Sequence, residues 1–256
     1  MATEIITIPT AVAQVGLYLG AGLSVSIAAL SAGFAGRQTA AYAFDAIARQ
    51  PATEGLLLRS SLISAAVSET GAIFCLVISM LLVFGGFVAE GTALDYARGA
   101  SFLAAGLAVG LGTFGPNLGS GYTGAEACVG IGRTPSHSMP QTTNMLIGQA
   151  MAQTPAIYAL VVAILLLYTI PATATDQSVG IQLLKAFAYL GAAMSIGIGT
   201  FGAGVGSGYV TGKCSKMMGR YLEQKANWMR MTIITSAVAQ TTAIYALVIS
   251  FLLIFL

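Results

Sequence analysis

Charge is what this sequence has least of. Only 8% of its 256 residues are Asp, Glu, Lys or Arg, and 56% are apolar. That excludes a water-soluble globule, which needs a polar shell, and it leaves no basic patch for a nucleic-acid partner. Cysteine is scarce as well. Cys75, Cys128 and Cys214 lie far apart and share no ligand spacing, so they read as small apolar fillers and not as a zinc site or a disulfide framework. The single His137 sits between Ser136 and Ser138 in a polar connection and reads as solvated. Alternation of period two is absent, which excludes barrel strands. No phosphate-binding loop occurs, so no catalytic site is expected on the chain and no cofactor is called for. Gly119-Ser120-Gly121-Tyr122-Thr123-Gly124 fits GxGxxG, but it lies inside an apolar helix and lacks the preceding strand that a dinucleotide site requires.

Long uncharged stretches are present instead. Residues 5–36, 99–125, 134–175, 186–212 and 231–256 carry no charge, and 60–89 is interrupted only by Glu69. Each can hold the roughly 20 apolar residues of a spanning helix, giving an all-α membrane protein of six transmembrane helices. Arg37, Arg49, Arg59, Arg133, Lys213, Lys216, Arg220, Lys225 and Arg230 cluster around the connections after the odd helices, whereas Arg98 and Lys185 lie near the others. The odd connections are therefore expected to be cytoplasmic, with both termini on the opposite side. Glu4 and the lack of a basic segment before the first apolar run argue against a cleavable signal peptide.

The chain aligns with itself at offsets of 84 and 87 residues. Gly119-Ser120-Gly121-Tyr122 matches Gly206-Ser207-Gly208-Tyr209, and Arg49, Arg133 and Arg220 take one loop position. Ala72-Ile73-Phe74, Ala156-Ile157-Tyr158 and Ala243-Ile244-Tyr245 correspond in the even helices. Three hairpins follow, over 1–92, 93–176 and 177–256. The odd helices carry small-xxx-small rows such as Gly16/Gly20, Gly106/Gly110, Gly115/Gly119, Gly202/Gly206 and Gly204/Gly208/Gly212, which let backbones approach closely. The even helices are rich in Leu, Ile and Val, which suits lipid. Odd helices inside and even helices outside would make a ring.

Glu69 is the only acid well inside a span, about 17 residues from the loop apex and so roughly 25 Å along the helix. An ionised carboxylate is costly at that depth, so Glu69 should hold a proton or a cation. Gln153 and Gln240 replace it in the other repeats, keeping its shape and hydrogen-bonding reach without an ionisable proton. Thr70, Thr154 and Thr241 each follow the key residue.

These residues carry a family resemblance. Ala48-Arg49-Gln50-Pro51 is similar to the polar loop of F-type c subunits, and Arg133-Thr134-Pro135 is a variant of it. Ala66-Val67-Ser68-Glu69-Thr70-Gly71 and Ala237-Val238-Ala239-Gln240-Thr241-Thr242-Ala243-Ile244-Tyr245 resemble the family's ion-site helix. The chain resembles the c subunit, or proteolipid, of F-type and V/A-type ATP synthases and ATPases, in a form with fused hairpins, which is more typical of the V/A type. The resemblance implies a rotor ring of several copies, alone or mixed with other proteolipids, turning in lipid against a stator subunit that holds an essential arginine. It implies Glu69, Val67 and Thr70 at the ion site, with neighbouring oxygens from Thr154, Tyr158, Thr241 and Tyr245. It also implies central-stalk contacts at Arg49, Gln50, Pro51, Arg133, Thr134, Pro135 and Arg220.

In sodium-binding members an inner-helix glutamine joins the glutamate; the matching residue here is Gly36, with Ser120 and Ser207 in the other repeats. Protons are therefore expected in preference to Na+. One carboxylate per three hairpins means fewer ions per turn, which favours ATP-driven pumping over synthesis. A passive ion channel or transporter, or a non-conducting ring component, is the alternative. Arg37, aligned with Gly121 and Gly208, reads as snorkelling towards the cytoplasmic headgroups or water within the ring in preference to pairing with Glu69. Glu126 reads as solvated near a loop.

Overall fold

A computed structural model describes residues 7–87, 91–169 and 178–256. The described residues form seven α-helices: α1 (Ile8–Arg49), α2 (Glu54–Ser68), α3 (Thr70–Phe84), α4 (Leu94–Arg133), α5 (Ser138–Tyr168), α6 (Val179–Met218) and α7 (Lys225–Ile254). Helices α2 and α3 are two halves of one span, so the described residues hold six membrane-capable helical segments, as the sequence predicts. The chain is a multi-pass integral membrane protein. The expected boundary at 176 lies outside the described residues, as does Glu4.

Prolines and uncharged runs set the limits of these helices. Pro9 opens α1, where its missing N–H costs nothing. Gln50 and Thr134, which precede Pro51 and Pro135, leave helical geometry with φ/ψ of −143°/82° and −134°/75°. The first two loops therefore make the same turn, and each continues into a short 3₁₀ segment, Pro51–Thr53 and Pro135–His137. At 42 residues α1 is about 60 Å long, twice the hydrocarbon thickness, so its loop end projects beyond the bilayer.

Helices α1, α4 and α6 form one row, with α4 between the other two, and α2/α3, α5 and α7 form a second row against it. Within the first row backbones touch. A Cβ built on Gly119 would fall 2.1 Å from the carbonyl oxygen of Gly204, and one on Gly106 would fall 2.1 Å from that of Gly20. Any side chain there would force the helices apart. Hydroxyls add directional clasps: Thr39 Oγ1 donates to Gly121 O at 3.1 Å and Thr123 Oγ1 to Gly208 O at 3.0 Å, two bonds related by the repeat offsets. Within hairpins, Ser24 Oγ donates to Cys75 O and Ser195 Oγ to Ala246 O, again equivalent positions.

The second row turns Leu62, Ile73, Met80, Ile157, Val161, Ile233 and Val248 outward, as a lipid-facing surface requires. Between the rows lies a core that includes Ile78, Leu82, Val109, Leu166 and Ile196. The two rows form an open arc, with α1 and α2/α3 at one edge and α6 and α7 at the other.

Candidate functional site

The helical ladder of the second span breaks at Glu69, which has φ/ψ of −83°/−9° and separates α2 from α3. Its carbonyl still accepts from Ala72 N and Ile73 N, so the chain direction continues. Glu69 is exposed at the free edge of the arc, and among the described residues no cation lies within ion-pair distance of it. Beside it, Thr70 Oγ1 donates to Val67 O at 2.9 Å.

Gln153 and Gln240, the aligned residues, are buried, each only 7% exposed. Gln153 Nε2 donates to Val67 O at 3.4 Å and to Asn117 Oδ1 at 3.2 Å. Gln240 Nε2 donates to Met151 O at 2.8 Å. Val67 and Met151 each stand two residues before the key position of the preceding hairpin. Each glutamine thus reaches backwards across a joint to the same backbone oxygen of its neighbour, which repeats the site's geometry twice within one chain.

Met151 has a local reason to accept that bond. Its helical partner would be the N–H of residue 155, and Pro155 has none. The Gln240 amide takes the vacant place, so a partly buried carbonyl keeps a donor.

The other expected ligands divide. Thr154 Oγ1 donates to Ala150 O and Thr241 Oγ1 to Val238 O, so both hydroxyls are turned into their own helices. Tyr158 packs half-buried against the core, whereas Tyr245 is 68% exposed beside the far edge. The structure brings Val67, Thr70 and Gln153 together and leaves Thr241 and Tyr245 on the opposite edge from Glu69. Arg49, Gln50, Pro51, Arg133 and Arg220 are exposed at the loop end, with Thr134 and Pro135 partly covered beside them. Thr134 Oγ1 reaches Gly219 O at 3.3 Å and so ties the second loop to the third.

Residues beyond the sequence reading complete the joint between the first two hairpins. Asn117 Nδ2 donates to Ser31 Oγ at 2.9 Å, Ser68 Oγ meets Ser120 Oγ at 3.0 Å, and Gln149 Nε2 donates to Ser64 Oγ at 2.7 Å. Asn117 had a signal: it is an amide in a glycine-rich helix where the aligned residues are Gly33 and Gly204.

One reading is corrected and another narrowed. Glu126 is not solvated; it is 3% exposed, and Lys216 Nζ of α6 stands 3.0 Å from Oε2 while Tyr122 OH donates to Oε1. Arg37 does not reach for the loop. Its guanidinium lies over the Phe34 ring, 5.4 Å from the centroid, on the turn that precedes it. A helical side chain leans towards its helix N-terminus, which explains the direction. Among the described residues no group of three or more His, Cys, Asp or Glu side chains could hold a metal ion.

Comparison with known proteins gives one family. The profile that describes the ATP synthase C subunit matches three times, at residues 19–82, 103–166 and 190–253, and the matches start 84 and 87 residues apart. The chain is 42% identical over 69 residues to an ATP synthase c subunit of Petrotoga mobilis, covering 27% of this chain and 72% of that protein. It is 45% identical over 74 residues to the ATP synthase c subunit numbered 2 of Cereibacter sphaeroides, covering 29% and 89%. An ATP synthase c subunit of Dehalococcoides mccartyi is 47% identical over 66 residues, covering 26% and 87%.

Proposed function

We propose that this chain, which belongs to the family of ATP synthase c subunits, carries protons on Glu69 as a rotor-ring proteolipid of a rotary ATPase and couples their passage to ring rotation. The observation that carries this reading is the backward reach of the key side chain. Gln153 finds Val67 O and Gln240 finds Met151 O, whereas among the described residues no hairpin stands on the α1 side of Glu69 to offer it such an oxygen. The equivalent oxygen for Glu69 is the carbonyl of Val238, at the far edge of a second copy. Successive copies joined edge to edge would extend the arc into a ring, with the odd helices inside, and each joint between copies would hold one carboxylate.

Protons rather than Na+ fit the surroundings of that carboxylate. Gly33 and Gly36 supply no side-chain oxygen from α1, while a sodium site needs several oxygens arranged around the ion. A proton needs only a carboxyl group and one acceptor. The buried glutamines preserve the joints without adding ion traffic. In a ring of this chain alone, one ion would cross for every three hairpins, so each ATP would drive fewer ions against a steeper gradient. We read this as favouring ATP-driven pumping.

In this reading the loops at Arg49–Pro51, at Arg133–Pro135 and around Arg220 face the cytoplasm and the central stalk, and the termini lie on the other side. A stator subunit bearing an essential arginine would meet Glu69 at the ring's outer surface. Carbodiimide treatment of the solubilised complex tests the assignment, because the reagent attacks protonated carboxyls in apolar surroundings. Selective modification of Glu69, with loss of ATP-driven proton uptake, is the expected result. Protection of Glu69 by Na+ would overturn the proton assignment, and coupled transport that survives in Glu69→Gln would overturn the role of Glu69.

A further inference from the structure

The loop end of the first row carries charges that do not balance within one chain. Glu126 of α4 is buried, and Lys216 of α6 holds it, with Nζ 3.0 Å from Oε2 and 3.1 Å from Oε1. Lys213 stands three residues before Lys216, with its Nζ 3.9 Å from Oε1. One carboxylate thus faces two ammonium groups, of which Lys213 is the more distant and the surplus. Its side chain is 42% exposed and lies over the stacked rings of Tyr122 and Tyr209. At the other edge of the arc, Asp45 of α1 is exposed, and among the described residues no Lys or Arg lies within ion-pair distance of it. That holds for Arg49 too, four residues further along the same helix.

The repeat register relates these charges. Tyr42, Glu126 and Lys213 take one position in the three hairpins, and Asp45, Val129 and Lys216 take another. Both joints within the chain share one register. Gly121 meets Ala35 as Gly208 meets Gly119, and Thr39 and Thr123 donate to equivalent carbonyls. The level is shared as well, since Tyr42, Asp45, Val129 and Lys216 line one groove at the loop end. Across the first joint the two positions hold Tyr42 and Val129, which are uncharged. Across the second they hold Glu126 and Lys216, an ion pair. A third joint of this register, between α6 of one copy and α1 of the next, sets Lys213 opposite Asp45. The signs are those of the second joint, exchanged.

This seam between copies lacks the tie that the internal joints use. Val210 stands where Thr39 and Thr123 donate, and Arg37 stands where Gly121 and Gly208 accept. Both halves of the backbone clasp are therefore replaced, and a long lysine side chain can bridge helices whose backbones do not touch.

We propose that Lys213 of one copy pairs with Asp45 of the next, so that the two free edges of the arc are a docking surface for a second copy of this chain. This rests on the rotor reading and names what joins its subunits. The pair is directional. Two α6 edges brought together would set lysine against lysine, and two α1 edges aspartate against aspartate, whereas unlike edges attract. Head-to-tail contacts of this kind close into a ring. A different proteolipid could take the same place only with an acid at the position of Asp45.

The test is cross-linking in the intact complex, with Cys75, Cys128 and Cys214 replaced by Ala. Lys213→Cys/Asp45→Cys and each single cysteine variant are treated with a short bifunctional thiol reagent and separated on a denaturing gel. The double variant should give a ladder of two, three and more chains, and the single variants should stay at one chain. A double variant that stays at one chain, while native electrophoresis still shows a ring, would overturn the pairing and leave the rotor reading intact; it is also the outcome if another proteolipid fills the seam. Dimers from either single variant would mean that like edges meet and would overturn the pairing as well. Charge reversal adds a second measurement, on a residue with no ion pair in its own chain. Asp45→Lys should cut the fraction of chains recovered as rings at least about tenfold, because like charges then face each other. Equal recovery of wild type and Asp45→Lys would overturn the pairing. Wild-type chains found only singly would overturn the rotor reading and this proposal together.

Discussion

Glu69 and Gln153 occupy one position in two copies of the same hairpin, yet one is exposed at an edge and the other is buried with two hydrogen bonds. Gln153 is a donor throughout. Its amide gives one bond to a backbone oxygen and one to Asn117, and neither could accept a proton-free carboxylate as a partner. Glu69 sits where the helix is already interrupted and where α1 offers glycines in place of Asn117. The difference teaches that replacing a carboxylate by its amide is more than the loss of a charge. The surroundings at Gln153 have been filled with acceptors, and those at Glu69 have been left open.

Moving the carboxylate is the severest way to break that comparison. Glu69→Gln should abolish ATP-driven proton uptake into vesicles, and adding Gln153→Glu to it should not bring uptake back, because an ionised carboxylate at position 153 would face Asn117 Oδ1 and Val67 O. Recovery in the double variant would mean the two positions are interchangeable. Packing gives the next largest effect. Gly119→Ala should lower thermal stability in detergent by about 1–3 kcal/mol through backbone overlap, whereas Gly33→Ala on the open edge should change it by less than about 0.5 kcal/mol. Asn117→Ala strips Gln153 and Ser31 of a partner and should cost about 1–3 kcal/mol by the same measurement. The smallest effect is expected at the third hairpin. Gln240→Ala should cost about 1 kcal/mol, and less in a Pro155→Ala background, where a backbone N–H again serves Met151. An unchanged cost in that background would separate Gln240 from the proline.

Much of this was legible in the sequence. The uncharged runs marked the spans, because lipid tolerates few alternatives to a long apolar helix. The repeat register marked Glu69, Gln153 and Gln240 as equivalents, and the glycine rows marked the helices whose backbones touch. What the sequence did not carry was which neighbour each face would meet. Glu126 shows this: its place in the register was correct, but its burial depends on Lys216, ninety residues away on α6. The break at Glu69 was hidden too, since Ser68-Glu69-Thr70 contains no Gly or Pro to announce it. Arg37 lies over Phe34 on the preceding turn, where the bias of helical side chains towards the N-terminus sets a direction that residue type alone does not.

Pro155 carries a consequence for what this protein could become. With no N–H at 155, the Met151 carbonyl depends on the amide of Gln240 for its only cross-helix donor, and an amide never withdraws its hydrogens. A carboxyl group at 240 would abandon that carbonyl at each release, once in every revolution. At the proposed joint between copies, α7 runs unbroken and Thr242 stands where Pro155 does, so Val238 would keep its own helical donor while a visiting side chain came and went. In that reading one joint is a fixed hinge pin and the other a latch. A single base change at 240 would not convert the first into the second, so regaining a working site there requires two substitutions, with the proline removed before the acid returns.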